Sequence, residues 1–93
     1  MNESRQADLF VILGATGDLS QRMLFPSLFF LDAEGHLPDN VKILGAARSA
    51  IDQKKFLDEV KKHVAERAGS TGIQDKDWAR FSARLSYCTA DVA

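Results

Sequence analysis

The stretch that most constrains this chain is Leu9 to Pro26, LFVILGATGDLSQRMLFP. Five apolar residues, Leu9 to Leu13, end at a glycine, and so short a run reads as a strand buried on both faces, as parallel sheets require. Gly14 and Gly17 follow with only Ala15 and Thr16 between them, so the backbone can turn tightly and lie bare. Asp18-Leu19-Ser20 then opens a helical segment. Strand, glycine turn and helix start, in that order, put free backbone N–H groups at the positive end of a helix dipole, where a diphosphate can sit. The pattern G-x-x-G-x-x-S is related to the dinucleotide-binding G-x-G-x-x-G, with fewer glycines and shifted spacing. A glycine pair after an apolar run is also a common plain turn. The rival phosphate loop, which needs Gly-Lys-Ser/Thr, is excluded because the chain contains no Gly-Lys dipeptide.

Ninety-three residues make one domain at most, or a piece of one. The formal net charge of -1 argues against nucleic acid as the main partner and gives no membrane-surface signal. No apolar run approaches the ~20 residues of a spanning helix. The polar start MNESRQAD lacks an apolar signal core, so a cytoplasmic protein is expected. The single cysteine, Cys88, excludes an internal disulfide and reads as a small buried hydrophobe in a strand.

After the glycine turn, Pro26 predicts one short helical turn at about 18–24 and a second helix starting near the proline. Leu28, Phe29, Phe30, Leu31 and Ala33 press that helix against other protein, and Gly35 ends it. Val41–Ala47 is the second strand, and its tip reads Ala47-Arg48-Ser49. In a dinucleotide fold this tip faces the adenosine ribose. A carboxylate there bonds the 2′-hydroxyl of NAD, whereas an arginine accommodates the 2′-phosphate of NADP. The tip has no carboxylate, and a guanidinium beside a hydroxyl offers charge-assisted contacts, so the expected coenzyme is NADP. Arg48 taken by itself also reads as an ordinary surface arginine at a strand end.

Asp52 is placed to cap a helix from Gln53 to Ala68 whose apolar stripe is Phe56, Leu57, Val60, Val64 and Ala68. Its other faces carry opposite charges four apart and read as solvated. His63 lies on that face and makes no metal site without further ligands. Gly69-Ser70-Thr71-Gly72 reads as a flexible loop, Asp75 as the cap of a short helix anchored by Trp78 and Phe81, and Leu85–Cys88 as a third strand. The predicted fold is therefore α/β: a Rossmann-like β-α-β-α-β half of a doubly wound parallel sheet.

From Phe10 to Leu28 the chain resembles the opening of the glucose-6-phosphate dehydrogenase family, F-x-x-F-G-A-S/T-G-D-L-A-x-R-K-L-x-P-S-L. The resemblance continues through Glu34-Gly35, Gly45-Ala46-Ala47-Arg48-Ser49, Trp78, Phe81 and Arg84-Leu85-Ser86-Tyr87, nearly the whole chain. It implies coenzyme binding by Gly14, Ala15, Thr16, Gly17, Asp18, Leu19, Ser20 and Gln21, by Arg48 and Ser49, and by Asp91 and Val92 past the third strand. In the complete enzyme it implies that a histidine base takes the proton of the C1 hydroxyl of glucose 6-phosphate while hydride passes from C1 to NADP. The product is 6-phosphogluconolactone, at the head of the pentose phosphate pathway. Met23 stands where the family usually has a lysine on the coenzyme–substrate side, and a thioether neither donates a hydrogen bond nor carries charge. The family's Arg-Ile-Asp-His-Tyr-Leu-Gly-Lys segment, which carries the catalytic histidine, does not occur in these residues.

Three readings stand at this point: an N-terminal fragment of such an enzyme, a small module that holds NADP without chemistry, and an inactive remnant. In the doubly wound order 3-2-1-4-5-6 the first strand lies between strands two and four. Without strand four, Leu9–Leu13 is expected to present an open edge through which the chain self-associates.

Overall fold

The computed structural model describes residues 8–90. They form β1 (Asp8–Leu13), a π-helical turn (Ser20–Leu24) running into α1 (Phe25–Ala33), β2 (Val41–Ala47), α2 (Gln53–Ala68), a 3-10 turn (Gly69–Thr71), α3 (Asp75–Arg84) and β3 (Leu85–Thr89). The strands are all parallel, in the order β1-β2-β3. This is the 3-2-1 half of a doubly wound sheet, as the sequence predicts. Within the segment read as a flexible loop, Gly69–Thr71 forms a turn of 3-10 helix.

The chain steps across the sheet in one direction, and right-handed crossovers then put every helical connection on the same face. That face holds one core: Ala15, Phe25, Phe29, Val41, Ile43, Phe56, Val60, Val64, Phe81 and Leu85. Aromatic rings run through it edge to face, Phe25 on Phe56 and Phe29 on Phe81, each pair with centroids 5.5 Å apart. Gly45 is glycine because a β-carbon there would lie 2.8 Å from the Ala15 β-carbon and 3.0 Å from the Phe56 ring.

Two burial expectations fail for the same reason. Leu9, Val11 and Leu13 are 59%, 52% and 62% exposed, not buried on both faces. Strand alternation and register put them on the sheet face shared with Lys42 and Leu44, which no helix among the described residues covers. Cys88, paired with Ala46, lies on that open face too and is exposed.

Pro26 does not break the helix. Phe25 keeps helical angles (φ -65°, ψ -43°), and its N–H reaches back five residues to the Ser20 carbonyl. The widened turn opens the hydrogen-bond ladder just where proline cannot donate, which relieves the clash that otherwise kinks a helix. Helical structure is thereby continuous from Asp18 to Ala33. It ends in a Schellman pair, His36 N–H to the Leu31 carbonyl (2.9 Å) and Gly35 N–H to the Asp32 carbonyl (3.0 Å). Asp52 caps α2 as predicted, accepting from the Lys55 N–H at 2.8 Å. At α3 the N-cap is Gln74 rather than Asp75, without a side-chain bond.

The sequence gives no sign of a buried ion pair. Arg84 (5% exposed) meets Asp32 (2% exposed) through Nε and Nη2 at 3.2 and 2.8 Å. Its Nη1 donates to the Pro38 and Val41 carbonyls at 2.6 and 2.9 Å. Arg80 Nη2 adds a bond to the Asp32 carbonyl at 3.0 Å. The pair joins the end of α1, the 36–40 loop and the end of α3. No helix among the described residues is long and apolar enough to cross a membrane.

Candidate functional site

The parallel register brings the carboxyl ends of all three strands to one edge, with Leu13 beside Ala46 and Ala47 beside Thr89. In open α/β sheets ligands bind outside these ends. The glycine turn lies there. Gly14 has φ +69°, and the Gly17 N–H closes onto the Gly14 carbonyl at 2.8 Å. A β-carbon on Gly17 would stand 3.1 Å from that carbonyl oxygen. Gly14 is favoured by its backbone angle, and a side chain at Gly17 would crowd that carbonyl by a few tenths of an ångström.

The first helical bond runs from the Gln21 N–H to the Gly17 carbonyl at 3.0 Å. The amides of Asp18, Leu19 and Ser20 precede it and carry no i−4 partner, so unpaired donors lie at the positive end of the helix dipole. The turn is pinned from beneath. Ala15 is fully buried against Gly45, and its N–H donates to the Ala46 carbonyl at 3.1 Å. Gln21 Nε2 donates to the Ala15 carbonyl at 2.9 Å, leaving Gln21 Oε1 buried without a partner among the described residues.

Opposite the turn stands the tip of β2. Gly14, Thr16, Gly17, Ala47, Arg48 and Ser49 line one open hollow of about 380 Å³. Thr16 Oγ1 and Ser49 Oγ are 3.2 Å apart, a hydrogen bond across its mouth. The lining offers a guanidinium, two hydroxyls and a bare glycine backbone, and no carboxylate. Such a lining suits a phosphoryl group, which the guanidinium meets with charge-assisted bonds.

Of the residues expected to bind coenzyme, Gly14, Thr16, Gly17, Arg48 and Ser49 thus come together around the hollow. Ala15, Ser20 and Gln21 do not face it; all three are buried beneath the turn and helix start. Asp18 and Leu19 are exposed at the helix start, and the Asp18 carboxylate is held by Arg22 at 2.7 Å. Asp91 and Val92 lie outside the described residues. Met23 is 52% exposed on the π turn and does not line the hollow. His36 and His63 are also away from it, with Glu34 and Glu66 as their acidic neighbours. Among the described residues no three His, Cys, Asp or Glu side chains gather as a metal site.

Sequence reasoning overlooked Tyr87 and Thr89. Tyr87 Oη donates to the Ser49 carbonyl at 2.5 Å, and Thr89 Oγ1 donates to the same oxygen at 3.2 Å. The one available signal was that a partly buried tyrosine needs a partner for its hydroxyl.

Comparison with known proteins agrees with this geometry. Residues 11–93 match the family model described as glucose-6-phosphate dehydrogenase, NAD binding domain. Glucose-6-phosphate 1-dehydrogenase of Zymomonas mobilis is 42% identical over 82 residues, covering 88% of this chain and 17% of the relative. That of Schizosaccharomyces pombe is 39% identical over 77 residues, 83% of this chain and 15% of the relative. The crystal structure of the Mycobacterium avium enzyme superposes with a TM-score of 0.80 at 33% identity, covering 94% of this chain and 18% of that one. A glucose-6-phosphate dehydrogenase in complex with its substrate glucose-6-phosphate superposes with a TM-score of 0.78, over 98% of this chain and 19% of its own. The chain thus spans less than a fifth of the length of these relatives. Strand order, glycine turn and sequence agree, and the chain belongs to the glucose-6-phosphate dehydrogenase family, matching its NAD-binding domain.

Proposed function

We propose that the chain is the N-terminal part of the coenzyme-binding domain of an NADP-dependent, cytoplasmic glucose-6-phosphate dehydrogenase. The observation that carries this reading is the single hollow shared by the glycine turn and the Arg48-Ser49 tip. When bound, the nicotinamide coenzyme supplies the hydride acceptor for oxidation of glucose 6-phosphate to its lactone. This chain's residues bind and orient. The amides of Asp18 and Leu19, at the dipole end of an unbroken helix, hold the diphosphate. Gly14 and Gly17 let it approach the backbone. Arg48 pairs with the 2′-phosphate, and Ser49, bridged to Thr16, supplies a hydroxyl beside it. No imidazole lines the hollow, so the base that takes the C1 hydroxyl proton is assigned to the part of the enzyme beyond these residues.

Arg48→Asp tests the coenzyme choice. The substitution removes a charge-assisted contact of about 1.5–3 kcal/mol and adds a repelling anion, so NADP affinity is expected to fall by about ten- to a hundredfold. NAD has a hydroxyl in place of that phosphate and should change far less. Titrating both coenzymes against both proteins decides the matter, and equal losses would refute the assignment of Arg48.

A further inference from the structure

Arg48, Ser49 and Ala50 belong to no helix or strand, yet a residue that discriminates one phosphate must be held in place. The bonds that hold this segment come from β3. Ala90 N–H donates to the Ala47 carbonyl at 2.8 Å, extending the ladder to the last residue before Arg48. The Ser49 carbonyl, just past it, accepts from both Tyr87 Oη and Thr89 Oγ1. Tyr87 Oη also lies 3.4 Å from the Ala47 carbonyl, so one hydroxyl spans Arg48 from both sides. The phenol ring is itself fixed, stacked on Phe56 with centroids 4.9 Å apart and planes 29° apart. Phe56 is fully buried and touches the space above Gly45, beneath the glycine turn. The Thr16–Ser49 hydrogen bond closes the loop from the other side.

We infer that Tyr87, assisted by Thr89, is a positioning residue for coenzyme specificity: by clasping the Ser49 carbonyl it sets the distance between the Arg48 guanidinium and the glycine turn, and so the preference for a 2′-phosphate over a 2′-hydroxyl. The inference rests on the coenzyme reading above. Tyr87→Phe isolates the claim, because it keeps the ring stacked on Phe56 and removes only the hydroxyl. Thr89→Val is the milder companion, since Thr89 is exposed and valine keeps its shape at the strand end.

The test measures binding of adenosine 2′,5′-bisphosphate and adenosine 5′-monophosphate, which differ by the 2′-phosphate alone, to the chain and both variants. Hydrogen exchange at residues 48–51 is followed in parallel. Tyr87→Phe is expected to weaken the bisphosphate by about three- to tenfold, the worth of a lost hydrogen bond, while leaving the monophosphate unchanged. Exchange at 48–51 should rise, with Thr89→Val showing smaller changes in the same direction. A Tyr87→Phe protein that keeps the full preference of the unmodified chain, or loses both ligands equally, overturns the positioning role and leaves the coenzyme reading intact. If the unmodified chain itself does not distinguish the two nucleotides, the coenzyme reading fails and this inference with it. Unchanged exchange at 48–51 in both variants overturns the clasp whatever the ligands do.

Discussion

Asp32→Ala should be among the most damaging single substitutions in this chain. Asp32 is 2% exposed and its Oδ1 takes two donors from Arg84, itself 5% exposed. Removing the carboxylate leaves a guanidinium buried with only neutral carbonyls of Leu37, Pro38 and Val41 to face. An uncompensated buried charge costs about 3–5 kcal/mol. Domains of this size have total stabilities of about 5–15 kcal/mol, so the loss is a large fraction of what exists. With a urea slope of about 1 kcal/mol per molar, at the low end for small proteins, the unfolding midpoint should fall by about 3–5 M or vanish. Trp78 reports the transition, because its partly buried ring packs against the core, 6.3 Å from Phe29 and 6.1 Å from Phe81. The double variant Asp32→Leu with Arg84→Met removes both charges and is expected to cost less than Asp32→Ala alone. An Asp32→Ala protein within about 0.5 kcal/mol of the parent, or a double variant no more stable than the single, would show that the pair is not the anchor argued here.

The chain by itself is expected to form no NADPH from glucose 6-phosphate, since hydride transfer needs both reactants held at near-attack distance and neither His36 nor His63 reaches the hollow. Turnover above a heat-killed control, abolished by substituting either histidine, would contradict this. Self-association through β1 is the other expectation. Gln53 covers the outer edge of β3, giving Nε2–H to the Leu85 carbonyl at 2.9 Å and accepting from the Tyr87 N–H at 2.8 Å, whereas no described strand pairs with the outer edge of β1. Light scattering should show dimers or larger species at low micromolar concentration, reduced in Leu9→Lys; a monomer with strongly protected amides throughout Leu9–Leu13 would refute the open edge.

Local chemistry made much of this protein legible in its sequence. The apolar run ending at Gly14, the Gly17 spacing, Asp52 before a helical stripe and the strand Val41–Ala47 each depend on neighbours only a few residues away. Backbone angle, cap and periodicity therefore announce them. The pairing of the glycine turn with Arg48-Ser49 was legible too, because the order of a dinucleotide fold is written along the chain. Tertiary structure decided what depends on distant partners. Pro26 continues the helix because a π turn lets packed Phe25 and Phe29 stay in the core. Leu9, Val11, Leu13 and Cys88 are exposed because all helices lie on one face of the sheet. Asp32 and Arg84, 52 residues apart, and Tyr87 and Ser49, 38 apart, meet only after the strands have aligned. No periodicity or cap signals such meetings, since their cause is the burial of polar groups that must each find a partner once water is gone.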